Sequence, residues 1–258
     1  MLRLVAVAGA LVAGLYFVLP AGTLPDPVSA VADRFDKRPA RPMLFIGNSR
    51  MFYNDMPAML RKMADSARAQ ERFDIVMRAL PAGTLQLSWN DAETRRLLKR
   101  PWHDVVVQAE SNAQGSEQSA AEFFDYGERL IREAQTTGGT PTVIVNWVYG
   151  EKLFEGRGAG MCAWYYGRIQ SDYARLSSMT GARLVNVAQV WERVHAAAPQ
   201  LPLYQDGNHP TLQGSYLSAL TLYGHLSGTD GSGVTYVPNG MSAAEAALIR
   251  RMVGEWSR

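Results

Sequence analysis

Two short segments far apart in the chain carry the side chains with the clearest chemistry, Gly47-Asn48-Ser49 and Asp206-Gly207-Asn208-His209-Pro210. A histidine takes a proton from a serine hydroxyl near neutral pH, and a neighbouring carboxylate fixes its tautomer and stabilises the imidazolium that forms. Asp206, three residues before His209 in a loop halted by Pro210, is spaced so that both side chains can face one cleft. Each segment alone has a plainer reading. Ser49 caps a helix that follows a strand, and Asp206 and His209 are residues of a surface loop. Gly47-Asn48-Ser49-Arg50-Met51 also lacks the second glycine of the G-x-S-x-G turn that presents a serine in the α/β-hydrolases. The other histidines, His103, His195 and His225, stand at a strand entry, in a helix and at a helix end, where a structural role is expected.

The elements that must position these groups follow from apolar periodicity. Short apolar runs predict strands at Met43–Ile46, Phe73–Arg78, Asp104–Gln108, Thr142–Asn146 and Arg183–Asn186. Stretches of helical period lie between and after them, at Pro57–Gln70, Leu85–Lys99, Ala120–Gln135, Cys162–Met179, Gln189–Ala197, Thr211–Leu226 and Ser242–Trp256. In the second of these, Leu85, Trp89, Ala92, Leu97 and Leu98 share roughly one face, with Arg95, Arg96 and Lys99 turned to water. Ser242 and Glu245 have the spacing of a capping box. Strands alternating with helices predict an α/β fold: a three-layer α/β/α sandwich built on a flavodoxin-like, doubly wound parallel sheet of about five strands. Ligands bind such sheets at the carboxyl ends of the strands, and Gly47-Asn48-Ser49 lies at one of those ends.

The two segments, in this order, resemble the first and last blocks of the SGNH (GDSL-like) hydrolase superfamily, in the form whose first block reads GNS. The likeness runs on from Pro210 through Thr211, Gly214, Tyr216, Leu217 and Ala219. It implies Ser49 as nucleophile, with Asp206 and His209 completing a catalytic triad. The family's middle blocks supply a glycine after the second strand and an asparagine after the third, which join the serine N–H in an oxyanion hole. Gly83 stands where the glycine is expected. Gln108-Ala109-Glu110-Ser111-Asn112 is similar to a Q-G-E-S-N segment of carbohydrate acetylesterases, which makes Asn112 the preferred amide donor and Gln108 its rival. Ala109 departs from that pattern where a glycine is usual. Acyl transfer builds negative charge on the former carbonyl oxygen, and each prepositioned donor is typically worth about 3 kcal/mol there.

The resemblance implies an esterase acting on short-chain or acetyl esters, including those of carbohydrates. An acetyl transferase on glycans and a non-catalytic carbohydrate-binding protein are the alternatives. Neither metal nor cofactor is expected. Trp147, Tyr149, Trp164 and Tyr165, around the glycine-rich stretch Gly150–Gly160, offer aromatic surface for a sugar ring, or simply pack between helix and sheet. A formal charge of +2 provides no field to hold a polyanion, so nucleic acid is not an expected partner. The single cysteine, Cys162, cannot form an intramolecular disulfide and reads as a small buried residue at a helix start.

Residues 1–30 read as an export signal or a retained membrane anchor. Arg3 precedes an apolar run from Leu4 to Leu19, and Val28-Ser29-Ala30 offers a small-residue cleavage site. Residues 31–42, with Pro39 and Pro42, read as a linker, and 43–258 as one hydrolase domain in a periplasmic or secreted protein.

Overall fold

The computed structural model describes residues 35–156 and 160–256. The expected export segment and the first residues of the expected linker lie outside the described residues. Among the described residues, five parallel strands form one sheet: β1 Ala40–Gly47, β2 Arg72–Ala79, β3 Asp104–Gln108, β4 Thr140–Ile144 and β5 Arg183–Val185, in the order β2-β1-β3-β4-β5. The order reverses at β1, which opens a crevice between the carboxyl ends of β1 and β3.

Successive residues of a strand point to opposite faces, and here both faces are covered. Met43, Phe45 and Val106 join a core with α2 (Met56–Ser66), α7 (Val187–Ala197), α8 (Leu212–Ser227) and α9 (Ala243–Trp256). Leu44, Ile46, Val105 and Val107 join a second core with α3 (Leu85–Asn90), α4 (Ala92–Leu98), α5 (Glu117–Thr136) and α6 (Met161–Thr180). A short helix, α1 (Ser49–Phe52), and a 3₁₀ turn, Tyr53–Asp55, connect β1 to α2. The expected three-layer sandwich is therefore observed.

Several boundaries differ from expectation for physical reasons. β1 begins at Ala40 and takes in Pro42, since that stretch pairs only with β2 and pairing with β3 starts at Met43. Proline lacks a donor, and here none is needed on the β3 side. The helix expected over Leu85–Lys99 is two helices broken at Asp91, whose extended backbone (ψ 121°) ends α3. The Asp91 carboxylate accepts from the Thr94 N–H at 2.8 Å and pairs with Arg78 on β2 at 2.7 Å, so the break serves as a cap and a tether. β4 starts and stops two residues before the expected strand, and the Val145 N–H beyond it still donates to Val185 O at 2.9 Å. The Ser242–Glu245 capping box forms, with the Glu245 N–H donating to Ser242 Oγ and the Ser242 N–H to Glu245 Oε2. Cys162, the second residue of α6, is only partly buried and packs at the margin of the second core.

Candidate active site

Gly47 ends β1 where a side chain has no room. An added Cβ would lie 2.9 Å from the Met51 methyl and 3.3 Å from Gln108 Cβ. Asn48 follows in extended conformation, and its Oδ1 caps α1 by accepting from the Arg50 N–H. Its Nδ2 donates to Gly83 O at 3.3 Å and to Ala109 O at 2.9 Å, so one buried amide ties together the exits of β1, β2 and β3. Ser49 is then the first residue of α1, partly buried, with its hydroxyl turned toward the loop before α8.

That loop delivers the other two groups. His209 Nε2 lies 3.0 Å from Ser49 Oγ, and His209 Nδ1 lies 2.7 Å from Asp206 Oδ2. With Nδ1–H donating to the carboxylate, Nε2 is left to accept from the serine hydroxyl. Asp206 Oδ1 also accepts from the backbone N–H groups of Asn208 and His209, at 2.9 and 2.7 Å. Desolvation pushes the Asp206 carboxyl up, but the bonds from the His209 ring and these N–H groups outweigh it and hold the carboxyl at about 2. Gly207 takes a positive φ of 84°, which lets the loop turn between the two side chains. Tyr53 stacks on the imidazole with ring centroids 4.3 Å apart and planes 10° from parallel. Asn54 donates to Pro210 O and Ser215 Oγ, and so joins the serine turn to the start of α8.

The structure thus brings Ser49, His209 and Asp206 together in hydrogen-bonded sequence. The expected oxyanion donors are less uniform. The Gly83 N–H is already given to Leu80 O at 2.9 Å, closing a turn in which Ala82 has φ 51°. A Cβ at Gly83 would also meet Leu80 at 2.8 Å, so here the glycine supplies clearance rather than a free donor. Gln108 is 2 % exposed, with its Cβ 3.3 Å from where a Gly47 Cβ would sit. Asn112 is exposed at the cleft surface.

Arg50, Tyr53, Asn54 and Asn208 were not singled out from sequence. The signal that was available is a lone arginine beside Ser49, followed by the apolar Met51 and Phe52. Its guanidinium is buried, donates from Nε and Nη2 to Asn208 Oδ1 at 3.1 and 2.9 Å, and donates from Nη1 to Trp147 O at 2.6 Å. Burial lowers its pKa to about 10.

Beside these groups lies a cleft of about 500 Å³, lined in part by Asn112, Tyr149, Leu153, Phe154, Trp164 and Tyr165. Leu153 approaches the loop that carries His209, within 3.2 Å of where a Gly207 Cβ would sit. Among the described residues that line this cleft, none is charged. Trp164 is half exposed, whereas Trp147, also expected to offer aromatic surface, is buried and stacked on Trp191 at 4.2 Å. Trp147 thus has a packing role, because its ring fills the first core. Glu110, just before the cleft wall, accepts from the Leu85 N–H at 3.2 Å, and burial raises its pKa.

Among the described residues, no three His, Cys, Asp or Glu side chains gather into a metal-binding group, and no helix is long and apolar enough to cross a membrane. No protein-family model matches the chain, and no curated protein is similar to it in sequence. Solved structures are similar. A protein described as a candidate SGNH hydrolase from Slackia heliotrinireducens superposes with a TM-score of 0.61 at 27% identity, over 72% of this chain and 99% of its own. A DUF4886 family protein from Bacteroides uniformis gives 0.66 at 14% identity, over 83% and 93%. An acetyl xylan esterase gives 0.60 at 12% identity, over 71% and 98%.

Proposed function

The chain has the SGNH (GDSL-like) hydrolase fold, and from that premise we propose that it is a serine ester hydrolase working through an acyl-enzyme. One observation carries the reading: Ser49 Oγ, His209 Nε2, His209 Nδ1 and Asp206 Oδ2 form a continuous chain of short hydrogen bonds at the carboxyl edge of the sheet. Ser49 attacks an ester carbonyl while His209 takes its proton. The same imidazole returns the proton to the leaving alcohol, then activates the water that cleaves the acyl-enzyme. Asp206 keeps Nδ1 protonated throughout. The oxyanion donors proposed are the Ser49 N–H, at the first position of α1 where no intrahelical partner exists, and the Asn112 amide.

The ester proposed is a short-chain or acetyl ester of a carbohydrate. The support is the cleft's aromatic faces and Asn112 on its wall, with no charge among the described residues that line it, which suits a sugar ring better than a charged head group. In this reading residues 1–30 take the enzyme out of the cytoplasm.

Ser49→Ala is expected to lower turnover of p-nitrophenyl acetate by several orders of magnitude with the melting temperature unchanged, and to abolish labelling by a serine-directed phosphonate. Asn112→Ala should lower kcat by about 10²- to 10³-fold. An Ser49→Ala enzyme that still turns over the ester would remove the serine from its role. Release of acetate from acetylated xylan, set against p-nitrophenyl esters of increasing chain length, tests the substrate.

A further inference from the structure

We infer that Arg50 is a positioning residue that holds His209 against Ser49; the inference rests on the esterase reading above. Arg50 directly follows Ser49, and Asn208 directly precedes His209. The fork of Arg50 onto Asn208 Oδ1 therefore bridges the same two segments as the His209 Nε2 to Ser49 Oγ contact, one residue away on each side. It acts as a brace in parallel with that 3.0 Å hydrogen bond.

The anchoring of the brace supports this role. Arg50 Nη1 bonds to Trp147 O, and its guanidinium lies 4.7 Å from the Trp147 ring centroid and 5.4 Å from that of Tyr149. Trp147 Nε1 in turn donates to Asn208 O at 3.2 Å, so Asn208 is gripped by its side chain and by its backbone. Trp147 is itself clamped against Trp191. Loop, arginine and the exit of β4 form one closed circuit, and within it His209 has little freedom to drift.

The choice of residues is specific. A buried cation is costly unless paired, yet among the described residues no carboxylate bonds to Arg50; its acceptors are one amide oxygen, one backbone carbonyl and two aromatic faces. Only the planar guanidinium reaches all of these at once, because an ammonium is a point charge without the fork. A neutral acceptor at 208 also suits its place in the loop, since a carboxylate beside His209 would compete with Asp206 for the imidazolium.

The test is a cycle of Arg50→Lys, Asn208→Ala and the double variant, with kcat and KM measured on p-nitrophenyl acetate beside thermal melting. Each single variant is expected to lose about 10- to 100-fold in kcat, as a displacement near 1 Å at the reacting groups does, with KM within about threefold. The double variant should be no slower than the slower single one, because both break the same brace. Losses that multiply in the double variant, or an Arg50→Lys kcat within about threefold of wild type, overturn the inference. If Arg50→Lys does not fold, Asn208→Ala decides alone, and an unchanged kcat refutes the brace. Wild-type protein that neither hydrolyses esters nor reacts with a phosphonate would instead refute the parent reading. The brace is then judged by NMR of the His209 ring, expected as one sharp environment in wild type and exchange-broadened in Asn208→Ala; an identical ring signal in both sinks it.

Discussion

Every hydrogen bond to the carboxylate of Asp206 is made to its ionised form, from an imidazole and from two backbone N–H groups. With the folded pKa held at about 2, below the usual carboxylate value, the stabilisation is present above about pH 4 and is lost as pH falls toward 2. Asp206 therefore stays charged through any ordinary assay range, and the acid limb of a kcat/KM profile should belong to another group. Asp206→Asn keeps an oxygen for the backbone donors but presents an NH₂ group to Nδ1. Nδ1 must then accept, the ring proton moves to Nε2, and the serine loses its base. A fall in kcat of about 10⁴-fold is expected, with melting at neutral pH lowered only modestly, because the charge-dependent stabilisation is lost but is screened at a half-exposed carboxylate. A variant within tenfold of wild type would deny Asp206 its orienting role. At this scale sequence is informative where a residue type itself suggests the chemistry, as in the roles proposed for Ser49, His209 and Asp206. Arg50, Tyr53 and Asn208 escaped notice because their roles exist only once two distant loops face each other.

At the scale of elements, the exits of three strands are joined by a single side chain. Asn48 donates to the carbonyls that follow β2 and β3 while capping α1, and it is 4 % exposed. Asn48→Ala leaves Gly83 O without that donor and the Arg50 N–H without its cap. Ala109 O keeps its bond from Asn146 Nδ2 at 2.7 Å. A loss of about 1–3 kcal/mol is expected from the orphaned buried groups, together with a lower kcat, since the turn that presents Ser49 loosens with it. A denaturant midpoint equal to wild type would show the tether to be dispensable. The sequence told which segments are strands, because central strands buried on both faces are near-continuous apolar runs. It was less able to tell where they stop. The bounds of β4 depend on its neighbours β3 and β5, and the break at Asp91 depends on Arg78, a cross-chain partner that periodicity does not report.

Across the whole molecule, a buried ion pair and the proposed catalytic groups lie at opposite edges of the sheet. At the amino-terminal edge, Arg41 bonds to both oxygens of Asp104 at 2.6 and 3.0 Å and to Leu226 O at 3.1 Å, which joins β1 to β3 and to the end of α8. Asp104 is fully buried, with His103 Nδ1 at 2.8 Å from its Oδ2. The serine, histidine and aspartate sit at the carboxyl edge, where the sheet order reverses. Arg41→Met removes the charge that compensates a buried carboxylate, a change that typically costs about 3–5 kcal/mol. The loss should appear as a much lower melting temperature. Yet kcat measured well below that temperature should stay within about twofold, because none of the bonds that shape the Ser49 and His209 loops passes through Arg41. Asn208→Ala, which orphans two N–H groups of the buried Arg50 guanidinium, should also melt lower, by about 1–3 kcal/mol, but unlike Arg41→Met it slows turnover in the folded protein. A kcat for Arg41→Met that falls tenfold in fully folded protein would mean that strain at one edge of the sheet reaches the other, and the independence of the two edges would have to be given up.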